Sequence, residues 1–295
     1  MNSVEAFLKN TITAPAWKKI GIFHHHGINI HLSSIHTKKS SGIGEFLDLI
    51  PLIDWCASLK MDVIQLLPIN DSGYDPSPYN ALSSCALHPI YLSLHALPYL
   101  NSALKEKLKL FAPLLKKKRV PYKKVLKKKM TWLLAYIDHA RDQITKEENF
   151  TSFLENHSWL HNYAHFKVLK EHFNHNNSSE WPQPLPSVDQ KELLFYFILQ
   201  YLSFTQLEQV KAHANKKNVL IKGDIPILIS PDSCDVWAES SLFNCSLIVG
   251  SPPGKLRPKG QAWGFPLYNW EMMDKTNYAW WKQRLLVAEK IYHLY

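Results

Sequence analysis

The 295-residue sequence predicts an α/β protein built on parallel strands. Three observations carry this. Apolar stretches of strand length recur at residues 27–32, 63–67 and 219–225. A helical pattern precedes the second and third of them, the layout of β-α-β units. A turn-rich segment follows the second strand, on the side where parallel α/β folds place their sites.

In chain order, a short helix is expected near Val4 to Lys9 in a lead-in segment. Gly27-Ile28-Asn29-Ile30-His31-Leu32 alternates apolar and polar and reads as the first strand. A loop runs to Gly44. From Glu45 to Leu59, the residues Phe46, Leu49, Ile50, Ile53, Trp55, Cys56 and Leu59 recur at helical spacing. Val63-Ile64-Gln65-Leu66-Leu67 reads as a buried strand stopped by Pro68. Asn70 to Asn80 is dense in turn formers. Residues 101–175 are lysine-rich and helical in pattern, and Glu192 to Lys217 reads as one long helix. Val219 to Ile225 is the third strand, 226–269 a loop-rich stretch, and Tyr278 to His293 a last helix. Three blocks result: 1–100 with two strands and the turn-rich loop, 101–190 mainly helical, and 191–295 with the third strand and a long loop. A sheet ending on the third strand would leave an apolar edge open.

Composition excludes several classes. Hydrophobic residues make up 46% and aromatics 12%, enough for a large core and unlike a disordered chain. No apolar run has membrane-spanning length, no leader pattern opens the chain, and the four cysteines form no CxxC pair. A cytoplasmic protein without membrane association, cofactor or metal is expected. The formal charge of +9 is local: residues 105–129 hold twelve Lys/Arg and one acid, so the rest is slightly acidic. This run (Lys116 to Arg119, Lys127 to Lys129) reads as a solvated helical face; with only Tyr122 nearby for stacking, nucleic acid is not the expected partner. His24, His25 and His26 are consecutive in an extended segment and point to opposite faces, so they do not form one metal site.

Three clusters are site candidates. Asp224, at the C-terminal end of the third strand, either accepts hydrogen bonds from sugar hydroxyls or caps the following turn near Ser230. Ser77-Pro78-Tyr79 either holds an aromatic rigidly at a cleft edge or is an ordinary surface turn. In Gly260 to Tyr268, Gln261, Trp263 and Tyr268 offer amide and aromatic contacts to a carbohydrate, or else Trp263 and Tyr268 are core aromatics in a long loop.

In order and spacing, these stretches resemble the amylomaltase, or 4-α-glucanotransferase (disproportionating enzyme), family. Leu32-Ser33-Ser34 with Gly42 to Phe46, Ile64 to Pro68, Ser77-Pro78-Tyr79, Gly223 to Ile227, Asp232 to Ala238, Gly260 to Tyr268 and Trp280 to Arg284 match its motifs along nearly the whole chain. The resemblance implies the first three strands of a TIM-type β/α barrel with a helical insertion, acting on α-1,4-glucans and transferring segments between maltooligosaccharides with retention. It implies that Asp224 binds donor-sugar hydroxyls, that Tyr79, with Ser77 beside it, stacks on the sugar nearest the cleavage point, and that Gln261 and Trp263 line the cleft. The family's "RIDHF" and "AEDLG" stretches, with its nucleophile and acid/base, and its later stabilising aspartate are absent, so no catalytic residue is assigned and the chain alone is expected to be inactive. The barrel would be incomplete, from a truncated gene, a fragment, or half of a split enzyme completed by a second chain. Phe265 replaces an asparagine of the family pattern, and Gly254-Lys255-Leu256 replaces an acid and an aromatic, each removing a sugar contact. The alternatives are a non-catalytic glucan-binding subunit and, third, a nucleic-acid or anion binder through Lys105 to Lys129.

Overall fold

The computed structural model describes residues 3–295. Helices α1 (Ser3–Lys9) and α2 (Ala14–Ile20) lead into β1 (Gly27–Ile30). α3 (Leu49–Ser58) crosses to β2 (Val63–Leu66). The helical segment comprises α4 (Ser102–Lys107), α5 (Ala112–Leu115), α6 (Tyr122–Ile144), α7 (Glu148–Glu155) and α8 (Trp159–His172). α9 (Gln190–Lys217) then returns the chain to β3 (Leu220–Lys222). An Asp189–Glu192 capping box starts α9, and Asn218, in the left-handed region, ends it.

The three strands form one parallel sheet in the order β1-β2-β3. Ile28, Ile64 and Ile221 are in register, and their row faces the same way; Asn29, Gln65 and Lys222 form the in-register row on the opposite face. The strands are shorter than expected. Leu32 already belongs to a 3₁₀ turn, Leu32–Ser34, and β3 ends before Gly223.

The edge of β3 is not open: His293 N–H donates to Ile221 O at 2.8 Å, Gly223 N–H donates to Leu294 O at 2.7 Å, and Leu294 bridges Lys222 in parallel. The final residues thus lie beside β3 as a further strand would. The 226–269 segment is not merely loop. It contains α10 (Cys234–Ala238) and an antiparallel hairpin of β4 (Phe243–Ser251) and β5 (Gln261–Tyr268), followed by α11 (Trp270–Lys275) and α12 (Ala279–Ile291). The hairpin is mostly exposed and its register shifts twice. Backbone pairing rather than burial of one face holds it, so it lacks a clear period-two apolar signal.

One core cluster joins the sheet, α3 and the helical segment, including Leu32, Ile53, Leu66, Tyr136, Phe166 and Phe204. The irregular stretch after β2 is fastened to it by two buried glutamines of α9. Gln200 exchanges two 2.8 Å hydrogen bonds with the Leu87 backbone. Six residues on, Gln206 does the same with Ser93, at 2.8 and 3.0 Å. Each side-chain amide replaces the strand neighbour that the backbone lacks.

The lysine run is not wholly a solvated face. Lys129 is fully buried and donates to Glu45 Oε1, Ile90 O and Leu92 O, each at 2.6 Å. It lies on the inner side of α6, where helical periodicity carries one position of the run into the core. Burial pushes the Glu45 carboxyl up to about 7 against the pull of the Lys129 ammonium, and burial also lowers Lys129. Among the described residues, no helix is long and apolar enough to cross a membrane.

Candidate functional site

The loops after β2 and β3 meet at the C-terminal end of the sheet. Strand β3 delivers Asp224 through Gly223, whose missing side chain is required: a Cβ there would lie 2.4 Å from the Tyr292 ring. The Tyr79 hydroxyl donates to Asp224 Oδ2 at 2.6 Å. This bond, together with partial burial and the nearby negative charge, raises the Tyr79 phenol above its usual range. Asp224 is half-buried and Tyr79 is 44% exposed, so the pair faces solvent. Ser77 is exposed two residues from Tyr79, and its N–H donates to Asp75 Oδ1 at 2.9 Å. Asp75 also accepts from Asn80 at 2.8 Å, so this carboxylate shapes the turn that presents Tyr79.

Further ties hold the two loops together. Cys234 N–H donates to Leu82 O at 2.8 Å. Asp235, on α10, accepts from Ser84 N–H at 2.8 Å, from the Ser84 hydroxyl, and from Trp280 Nε1 at 3.0 Å. Arg284, almost wholly buried on α12, donates to Pro226 O, with its guanidinium 5.5 and 5.1 Å from the Trp280 and Trp281 rings. The two tryptophans and the arginine of α12 therefore brace the turn that follows Asp224.

Beneath the first loop lies a buried polar cluster that the sequence reading missed. Asp71, fully buried, accepts from Gly73 N–H at 2.9 Å, Tyr163 OH at 2.7 Å and Lys167 Nζ at 2.9 Å. Burial works to raise its carboxyl, but Lys167, His88 and the Tyr163 bond outweigh it and hold the carboxyl well below the usual range. His88 Nδ1 accepts from Ile90 N–H at 3.2 Å, which leaves the proton on Nε2, 2.6 Å from Tyr122 OH. Tyr122 in turn donates to Gly73 O at 2.9 Å. Burial pulls His88 down to about 4. Gly73 adopts φ +58°, and a Cβ there would meet Leu82 at 2.7 Å. A cavity of about 220 Å³ adjoins the cluster, lined by Asp71, Asp75, Lys167 and Asp232. The available signal was a histidine interrupting the apolar run Ala86-Leu87-His88-Pro89-Ile90-Tyr91.

Gln261 and Trp263 lie two residues apart on β5, and Trp263 Nε1 donates to Gln261 Oε1 at 3.2 Å. Trp263 is 47% exposed and outside the core. Among the described residues, no hydrogen bond joins this pair to Tyr79 or Asp224. The hairpin is tied to the loop after β3 at its base, where Tyr268 OH donates to Ile227 O. Thus the structure brings Tyr79 and Asp224 together and leaves Gln261 and Trp263 as a separate exposed pair.

This fold, a parallel sheet with loops meeting at its C-terminal end, a long helical insertion and an exposed hairpin after β3, is similar to that of solved amylomaltases. The amylomaltase of Streptococcus agalactiae in complex with acarbose superposes with a TM-score of 0.76 at 25% identity, covering 92% of this chain and 58% of that one. The amylomaltase of Corynebacterium glutamicum gives 0.81 at 22% identity over 93% of this chain and 40% of that one. The chain belongs to the 4-alpha-glucanotransferase family, whose model matches residues 30–295. It is 43% identical to the 4-alpha-glucanotransferase of Chlamydia pneumoniae over 99% of its own length, but spans only 58% of that relative.

Proposed function

We propose that the chain forms the first strands of an incomplete β/α barrel in a 4-α-glucanotransferase and binds an α-1,4-glucan at the Tyr79–Asp224 pair. The observation that carries this reading is their hydrogen bond at the C-terminal end of the parallel strands. The Asp224 carboxylate accepts two sugar hydroxyls in a forked arrangement, and the half-exposed Tyr79 ring covers the apolar face of the same sugar. Ser77 flanks the ring, and Gln261 and Trp263 supply outer contacts from the hairpin.

Retaining transfer needs two carboxyl groups about 5–5.5 Å apart, one as nucleophile and one as acid/base. Asp224 has Tyr79 as its hydrogen-bond partner, while Asp71, Asp75 and Asp235 serve loop architecture, as does Asp232, which accepts from Lys170 and from Ser178 N–H at 2.9 Å. On this reading the transfer step requires further polypeptide bearing the acids, and the 295-residue chain binds glucan without turnover. The polar row on the sheet face away from the isoleucines, with Asn29 exposed and Gln65 and Lys222 half-buried, is in keeping with a face that further strands would enclose.

Calorimetric titration with maltoheptaose, beside a maltotriose disproportionation assay, tests this. Binding without transfer, weakened by Tyr79→Ala, is expected. Transfer by the pure chain would overturn the assignment of the missing acids, and unchanged affinity in Tyr79→Ala would overturn the site.

A further inference from the structure

We propose that a lysine-rimmed apolar groove on the helical segment docks an acidic amphipathic helix of a partner protein. The groove, about 540 Å³, lies between the α4–α5 stretch and the N-terminal half of α6. Its floor is carbon: Phe111 and Trp132 are 3% and 5% exposed, Ala135 is half-buried, and Leu110 is 58% exposed at the edge. Lys107, Lys124 and Lys127 stand exposed around it. Lys128 is anchored as a wall, donating to Leu110 O at 2.7 Å with its ammonium 5.9 Å from the Phe111 ring.

The charge around the groove is uncompensated. Glu106, the one acid of 105–129, pairs with Lys109 at 2.7 Å. Among the described residues, none of the four groove lysines has a carboxylate within salt-bridge distance. Like charges so grouped repel, and an anionic partner relieves that repulsion and is steered in by it. Shape then selects among anions. Nucleic-acid bases need exposed aromatic faces, and both rings here are buried at the bottom of the groove. A bilayer is met by a projecting apolar surface, whereas this one is concave. A helix with apolar residues at i, i+3 and i+4 places neighbouring side chains about 5–6 Å apart in such a groove and turns its acids to the rim.

The test uses the full chain and a fluorescent synthetic peptide of about 18 residues, Leu on one helical stripe and Glu elsewhere. Anisotropy is compared with a scrambled peptide of the same composition, with oligo(dT) and with phosphatidylglycerol vesicles. Saturable binding of the striped peptide is expected, weakened about tenfold or more by scrambling, by L110E and by K124E/K127E. These positions are exposed, and circular dichroism checks that the variants keep their fold. Equal binding of the scrambled peptide, tighter binding of oligo(dT) or vesicles, no binding of the striped peptide, or an unaffected L110E would each overturn the proposal.

Discussion

The Tyr79 hydroxyl donates a 2.6 Å hydrogen bond to Oδ2 of Asp224, joining side chains 145 positions apart. The bond ties the loop after β2 to the end of β3 and orients an aromatic ring beside a carboxylate at an exposed edge. On the proposed reading, the ring and the acid make different contributions to a bound sugar, and these separate by mutation. Asp224→Asn removes a charged acceptor, so maltoheptaose affinity should fall by about 1.5–3 kcal/mol. Tyr79→Phe keeps the ring and should lose much less than Tyr79→Ala. Calorimetry on the three variants checks this; a Phe variant as weak as the Ala variant would assign the contact to the hydroxyl.

Gln200 is the strand substitute for Leu87, bonding both its N–H and its C=O. Gln200→Leu leaves two buried backbone groups without partners, each worth about 1–3 kcal/mol. Urea denaturation should show a destabilisation of about 2–6 kcal/mol with little change in m-value. Gln206→Leu should behave alike because Gln206 plays the same part for Ser93.

The Glu45–Lys129 pair is closed off from water, and Glu45 Oε2 has no partner. Lys129→Met strands the carboxyl and should cost about 3–5 kcal/mol at neutral pH. Replacing both, as Glu45→Leu/Lys129→Met, should recover most of that loss. A double-mutant cycle by chemical denaturation measures the coupling.

His88 sets a pH dependence. Its pKa is about 4 in the folded protein against 6.5 when free, so between these values the unfolded chain binds more protons. Stability from this group is complete above 6.5 and is lost as pH falls towards 4, by about 3 kcal/mol in all. Glu45 acts in the opposite sense: raised from 4.5 to about 7, it favours folding at low pH and loses that contribution as pH rises through about 7. Urea midpoints of the native protein and His88→Gln between pH 4.5 and 7 isolate the histidine; parallel curves would contradict its neutral buried state.

The sequence alone determined the local elements and the motif positions. Apolar periodicity marked β2, α3 and α9, because helices and strands carry their pattern in neighbouring residues, whereas the sequence reading began α9 at Glu192 and missed the Asp189 cap that starts it at Gln190. The placement of Asp224 and Tyr79 beyond strand ends was legible for a related reason: each follows a strand whose direction the β-α-β order already sets. Tertiary structure decided the rest. That Asp71 meets Lys167, that Lys129 turns inward to Glu45, that Asp235 receives both Ser84 and Trp280, and that the β4–β5 hairpin pairs across an exposed face all depend on contacts between distant residues. Such contacts form only when packing brings the partners within hydrogen-bond reach and removes the competing water, and neither condition leaves a periodic trace along the chain.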